Sequence, residues 1–251
     1  MMYWQTRKPK PGVRNAIVTA SSSRVGYGIA EELIKAGWRV VLHGRDEERT
    51  LNAKIKLGAT GCIVGDLNHQ DTIDALGEAT EYFFDSELSL LVNNASTFQH
   101  DPSNMTARGF AFDKAMESAR WVYEGTQCLQ TFLSAAGGLV VNLTDYANED
   151  HWRGFIAHGA AKTAIEAMTE HFNHEWRAGK NPRNAACVAL RLPMVLAPDG
   201  LSQEDQDALY RRFGDPVGVQ AVGQAVLQLT QSNRLAHIME LTLGGNTRGI
   251  K

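Results

Sequence analysis

Short apolar runs of strand length alternate along this chain with longer helical patterns, and that alternation restricts the fold more than any other feature. The runs are Asn15–Ala20, Arg39–His43, Gly61–Val64, Leu88–Asn93, Leu139–Leu143, Ala185–Leu192 and His237–Leu241. Most are β-branched and apolar at consecutive positions, as expected of strands buried on both faces of a parallel sheet. Helical patterns lie between them, among them Val25–Ala36, Glu47–Leu57, Phe110–Ser134, Ala160–Arg177 and Val219–Thr230. The expectation is an α/β protein: one doubly wound, parallel, seven-stranded sheet with helices on both faces.

The chain has 251 residues, enough for one large domain with a substantial core. Residues 1–13 read as a basic, proline-punctuated arm and 14–251 as the domain. A polar insertion around 194–216, with Pro and Gly at its ends, reads as a lid. The net charge of −3 points away from a nucleic-acid partner. No run has membrane-spanning length, and the first residues lack the apolar stretch of a signal peptide. Cys62, Cys128 and Cys187 are odd in number and unpaired in spacing, so reduced thiols in a cytoplasmic protein are expected. His171 and His174 lack a nearby third ligand, and no metal site is expected.

The first strand runs into "VTASSSRVGYG". Strand, small-residue loop and helix together can bring a helix N-terminus under a phosphate. Gly26 and Gly28 allow close backbone approach, and Ser21, Ser22 and Ser23 add hydroxyls, although Ala20 stands where a first glycine is usual. A tight turn with serine caps is the alternative. The layout favours a dinucleotide cradle of Rossmann type. The second strand ends His43-Gly44-Arg45, with no carboxylate before Asp46. An acidic residue there would hold the ribose 2′-hydroxyl of NAD, whereas arginine suits the 2′-phosphate of NADP. Arg45, with Arg24 as a second cation, therefore favours NADP(H). Asp66 in "GDLN" reads as a helix cap, a contact to the adenine amino group, or both.

Taken in order, "TASSSRVGYG", "GDL", "LVNNAS", "VVNLTD", His158-x-x-x-Lys162 and "LTLGG" (241–245) resemble the short-chain dehydrogenase/reductase family over nearly the whole chain. Within it the likeness to pteridine reductases is marked. Thr19, Arg24 and Gly26 match their phosphate loop, and Asn93, Asn94, Ala95, Ser96 and Phe98 match the segment after their fourth strand. The resemblance implies cofactor contacts at Thr19, Ser21, Ser22, Ser23, Arg24, Gly26, His43, Arg45, Asp66, Asn93, Ala95, Ser96 and Lys162. It implies a ring at Phe98 that stacks on a pterin, with Met194 beside the substrate, and Asp145 in place of the family's active-site serine. A core or lid aromatic is the alternative for Phe98. A homodimer or homotetramer is also implied.

The departures are specific. The family's Tyr-x-x-x-Lys reads His158-Gly-Ala-Ala-Lys162. Ser118 falls near a helix asparagine that supports a relay water, and Arg191-Leu192 falls near a Pro-Gly turn. Positions four apart share a helix face, so Lys162 can reach the nicotinamide ribose while residue 158 faces the substrate. An imidazole has an ordinary pKa of about 6.5, near the range a proton donor needs. Asp145 and His158 are thus expected to form the proton-transfer unit, with Lys162 as cofactor clamp and all three as catalytic residues. The reading is an NADPH-dependent oxidoreductase acting on a carbonyl or C=N group of a small planar substrate, a pterin being one candidate. The alternatives are another chemistry on the same fold (enoyl reductase, dehydratase or isomerase) and a non-catalytic dinucleotide-binding protein.

Overall fold

The structure, a computed structural model, describes Gly12 and residues 14–98, 100–102, 105–146, 153–178, 185–192, 203, 204, 207, 217–231 and 238–240. The expected arm (save Gly12), Met194, most of the 194–216 insertion and the 241–245 motif lie outside the described residues.

The strands are β1 (Asn15–Val18), β2 (Arg39–Gly44), β3 (Gly61–Val64), β4 (Leu90–Asn93), β5 (Leu139–Asp145), β6 (Ala186–Leu192) and a three-residue β7 (Ile238–Glu240). They form one parallel sheet in the order β3-β2-β1-β4-β5-β6-β7. The order reverses between β1 and β4, and in such sheets ligands bind at the carboxyl ends of the strands at that crossover.

Alternation along the strands accounts for their unbroken apolar runs. Ala16, Val18, Val40 and Leu42 enter the core on one face, whereas Ile17, Val41 and Leu91 enter the core on the other. Each face is covered by helices. Helices α1 (Arg24–Lys35), α2 (Glu47–Leu57) and α6 (Val219–Leu229) cover the first, and α3 (Gln70–Phe84), α4 (Met105–Ala136) and α5 (Ile156–Ala178) the second. Ile17 and Leu91 are fully buried, and each such side chain contributes about 1.5–3 kcal/mol relative to exposure.

Helix α3 has a mixed stripe, with Thr72 and Thr80 buried beside Ile73, Leu76, Ala79 and Phe84. The Thr80 hydroxyl donates back to the Leu76 carbonyl at 2.9 Å, which makes its burial cheap. Helix α2 has local ends. The Asp46 carboxylate accepts from the Arg49 N–H at 2.8 Å, and Gly58 closes the helix at φ 66°. Helix α5 starts four residues before the sequence pattern suggests. Its first two N–H groups, of Ile156 and Ala157, donate to the Asp101 carboxylate at 2.6 and 3.3 Å. That cap comes from a loop 55 positions away, and the same loop returns the Asp101 N–H to the Gly154 carbonyl at 2.7 Å.

Candidate active site

At the sheet crossover the β1–α1 loop meets the loop after β4. Thr19 joins them. Its hydroxyl accepts from the N–H groups of Asn94 and Ala95 at 2.9 and 3.0 Å and donates to the Val92 carbonyl at 3.3 Å. The Asn94 amide donates back to the Thr19 and Ala20 carbonyls at 2.9 and 3.0 Å. Ala20 and Arg24 hold left-handed backbone, φ 48° and 54°, a conformation that favours glycine. Gly26 has no room for a side chain. A Cβ there would lie 2.5 Å from the Ala20 carbonyl oxygen and 2.6 Å from the Asn94 amide.

Of the residues expected at the cofactor, three more besides Thr19 help to build the loop from inside. Ser21 is fully buried, donates to the Val18 carbonyl at 2.7 Å and accepts the His43 N–H at 3.1 Å. The His43 ring is buried too. Its Nδ1 accepts the Ala20 N–H at 3.1 Å, so the hydrogen belongs on Nε2, which meets the Gly65 carbonyl at 3.1 Å. Burial holds this imidazole neutral, with its pKa lowered to about 4. Asn93 joins β4 to Asn142 and Thr126 from beneath. Ser22 and Ser23 are half-exposed, and Arg24, Arg45 and Ser96 lie open at the surface. Asp66 accepts from the Asn68 N–H at 2.9 Å and stands 3.9 Å from Arg45, while His69 takes the N-cap position of α3.

A buried polar centre lies at the end of β5. Asp145 Oδ2 stands 2.8 Å from His158 Nε2 and 3.9 Å from Lys162 Nζ. On its other side His158 Nδ1 meets the Thr97 carbonyl at 3.1 Å. A carbonyl only accepts, so Nδ1 carries a hydrogen. The short line from Nε2 to Oδ2 then holds one more proton. It can be written as imidazolium beside carboxylate or as imidazole beside carboxylic acid, and it belongs to the pair. Residue 158, expected to face the substrate, lies behind Asp145. Its side chain is 3% exposed against 18% for Asp145, so the carboxyl is the outer member.

Thr97 is fixed in turn by Ser118, which accepts its N–H at 2.9 Å and shares a hydroxyl contact at 3.1 Å. Lys162 donates to the Leu143 carbonyl at 3.1 Å. Burial lowers its pKa, while Asp145 and Glu166 pull it back up. Phe98 rests on Phe155 at 4.9 Å and meets the His158 ring edge-on at 5.0 Å, yet is 46% exposed. Sequence reasoning missed Asn94, Thr97 and Asp101 as positioning groups, because their partners lie 55 to 75 positions away. Among the described residues no group of His, Cys, Asp and Glu could hold a metal ion, and no helix is long and apolar enough to cross a membrane.

Comparison with known proteins places the chain in a family. The chain is similar to a tropinone reductase homolog of Arabidopsis thaliana, 29% identical over 199 residues, 76% of this chain and 72% of the relative. It is 25% identical over 215 residues to the peroxisomal 2,4-dienoyl-CoA reductase of Mus musculus, 80% of this chain and 70% of the relative. A crystal structure of a short-chain dehydrogenase from Streptomyces avermitilis superposes with a TM-score of 0.76 at 18% identity, covering 93% of this chain and 89% of that one. The family model for short chain dehydrogenases matches residues 14–191. The chain therefore belongs to the short-chain dehydrogenase family, oxidoreductases that bind nicotinamide cofactors.

Proposed function

We propose that this protein is an NADPH-dependent reductase of a carbonyl or C=N group in a small planar substrate, pterins included. The observation that carries the proposal is the Asp145–His158 pair, closed on its far side by the Thr97 carbonyl and flanked by Lys162. In this reading the Asp145–His158 pair takes over the role of the family's tyrosine.

The crossover suits a nicotinamide dinucleotide. Helix α1 has no acidic residue in its first turn, and among the described residues its N-cap Ser23 makes no side-chain cap bond. Its N-terminal N–H groups and positive dipole end suit a pyrophosphate. Arg24 and Arg45 are exposed at the same edge, and the carboxylate of Asp46 is engaged by the Arg49 N–H, which favours a 2′-phosphate over a free ribose hydroxyl. When bound, the nicotinamide would supply the hydride.

The chain's own residues do the rest. Lys162 places a buried ammonium beside Asp145, where it would hold the nicotinamide ribose. Asp145, the more exposed member of the pair, hands a proton to the developing alkoxide or amide anion. That proton is the one shared along the Nε2–Oδ2 line, and its departure leaves carboxylate beside neutral imidazole, the Nδ1 hydrogen held by the Thr97 carbonyl, until water reprotonates the pair. Phe98, braced by Phe155, offers its open surface to a flat substrate. Proteins of this kind pair equivalent helices into homodimers or homotetramers. A groove of about 570 Å³ between α4 and α5, lined by Met116, Tyr123 and Met168 among others, suits a second copy. The cytoplasm is the compartment that fits three unpaired thiols.

A second reading is reduction of a conjugated alkene, favoured by the dienoyl-CoA reductase relative. There the same acid would deliver its proton to carbon.

NADPH oxidation against pterins, quinones, ketones and dienoyl thioesters tests both. With whichever substrate turns over, Asp145→Asn is expected to lower kcat by about 10²–10⁴ and leave NADPH affinity within about tenfold. Turnover intact in D145N or in H158F overturns the proton unit.

A further inference from the structure

Beyond the proton unit, three successive turns of α5 bury His158, Lys162 and Glu166 on one face. Lys162 therefore stands between two carboxylates. Asp145 lies 3.9 Å from its ammonium, and Glu166 lies one turn further along the helix. A buried ammonium and a buried carboxylate one turn apart attract each other strongly unless another charge already engages one of them. Glu166 is neutralised by Arg191, which enters from β6 as a two-pronged fork. Its Nε meets Oε1 at 2.7 Å and its Nη2 meets Oε2 at 2.8 Å, so both oxygens are engaged. All four side chains, those of Lys162, Glu166, Arg191 and His158, are buried.

We infer that Arg191 is a positioning residue for Lys162: by holding both oxygens of Glu166 it keeps the lysine ammonium on the Leu143 carbonyl and Asp145, at the mouth of the cofactor cleft. This rests on the reading of Lys162 as the cofactor clamp. Remove the guanidinium and Glu166 loses the cation that engages both of its oxygens, with the Lys162 ammonium one helical turn away. The ammonium then swings a turn down the helix and leaves the cleft. Remove both members of the pair and that pull disappears.

The test uses the full chain and fluorescence titration with NADPH. Arg191→Met is expected to weaken binding about tenfold or more, and E166Q/R191M to return within about threefold of wild type. In a K162M background the same R191M change is expected to cost less than about threefold, because the residue it acts through is gone. No loss in R191M, equal loss with and without Lys162, or no recovery in the double variant overturns the inference. Should R191M not fold, R191K engages only one Glu166 oxygen and carries the same Lys162-dependent comparison. A wild type that binds no nicotinamide dinucleotide defeats the functional reading instead. The inference is then decided by NMR. The Lys162 ¹⁵Nζ resonance, assigned by its loss in K162M, should move in R191M and return in E166Q/R191M. A resonance that stays put refutes it.

Discussion

Replacing Thr19 by Val keeps the volume and β-branched shape of the side chain but removes one oxygen. That oxygen accepts two N–H groups, from Asn94 and Ala95, and donates to Val92. Each donor left without a partner costs about 1–3 kcal/mol when buried. Asn94 and Ala95 are half-buried, so water can partly replace the hydroxyl and the lower end applies. The expected loss is about 2 kcal/mol, or about 4–8 °C in Tm for a domain of this size. Urea unfolding followed by tryptophan fluorescence reads it as a lower midpoint at unchanged slope. Thr19→Ser keeps the hydroxyl and should recover most of the loss. Because the same oxygen joins the two loops at the sheet crossover, T19V should also weaken NADPH binding, and T19S should restore it. A T19V protein within about 0.5 kcal/mol of wild type, or a T19S protein as unstable as T19V, would refute the reasoning.

Two of the remaining predictions concern the same loops, and a third concerns helix α4. His43 is neutral in the folded protein down to about pH 4, whereas the unfolded chain takes up its proton near the ordinary value of 6.5. Its contribution to stability is therefore fully present above pH 6.5 and falls by about 3 kcal/mol as the pH drops to 4, so His43→Gln should flatten the stability profile across that window. Parallel wild-type and H43Q profiles between pH 4 and 6.5 would count against this. Gly26→Ala places a Cβ against the Ala20 carbonyl and Asn94 and should cost about 1–3 kcal/mol together with cofactor affinity. Gly109→Ala, with nothing within 4 Å among the described residues, should be neutral or stabilising by up to about 1 kcal/mol in the same melts.

The strands are legible in the sequence because burial on both faces demands unbroken apolar residues, as in "AIV" of β1 and "LLV" of β4. Helix α3 is harder to read because Thr72 and Thr80 interrupt its apolar stripe. The start of α5 is set by Asp101, and no local pattern announces a cap delivered from 55 residues away. The pairing of Asp145 with His158 could be anticipated from motif order, but the second contact of His158 could not. It is made by a backbone carbonyl, which every residue possesses. The opposite holds for Arg191 and Glu166. His158, Lys162, Glu166, Thr169 and Asn173 recur every three or four positions on the buried face of α5. A polar stripe with a core helix's period signals that the opposing strands carry its partners. Asn142 and Asn173 bear this out through their bonds to Thr169 and Cys187.

The Asp101 clamp bears on how this protein could diversify. In many enzymes the loop that selects a substrate is a detachable module, free to drift while the reacting groups stay put. Here the segment bearing Phe98 also supplies the carbonyl that orients His158 and the carboxylate that starts the helix bearing His158 and Lys162. Under the proposed function, selectivity and chemistry are thus inherited as one unit. A change in loop length between Thr97 and Asp101 would misalign the acid as well as the binding surface. New specificities in this lineage should come from the other wall of the cleft, or from exchange of loop and helix together.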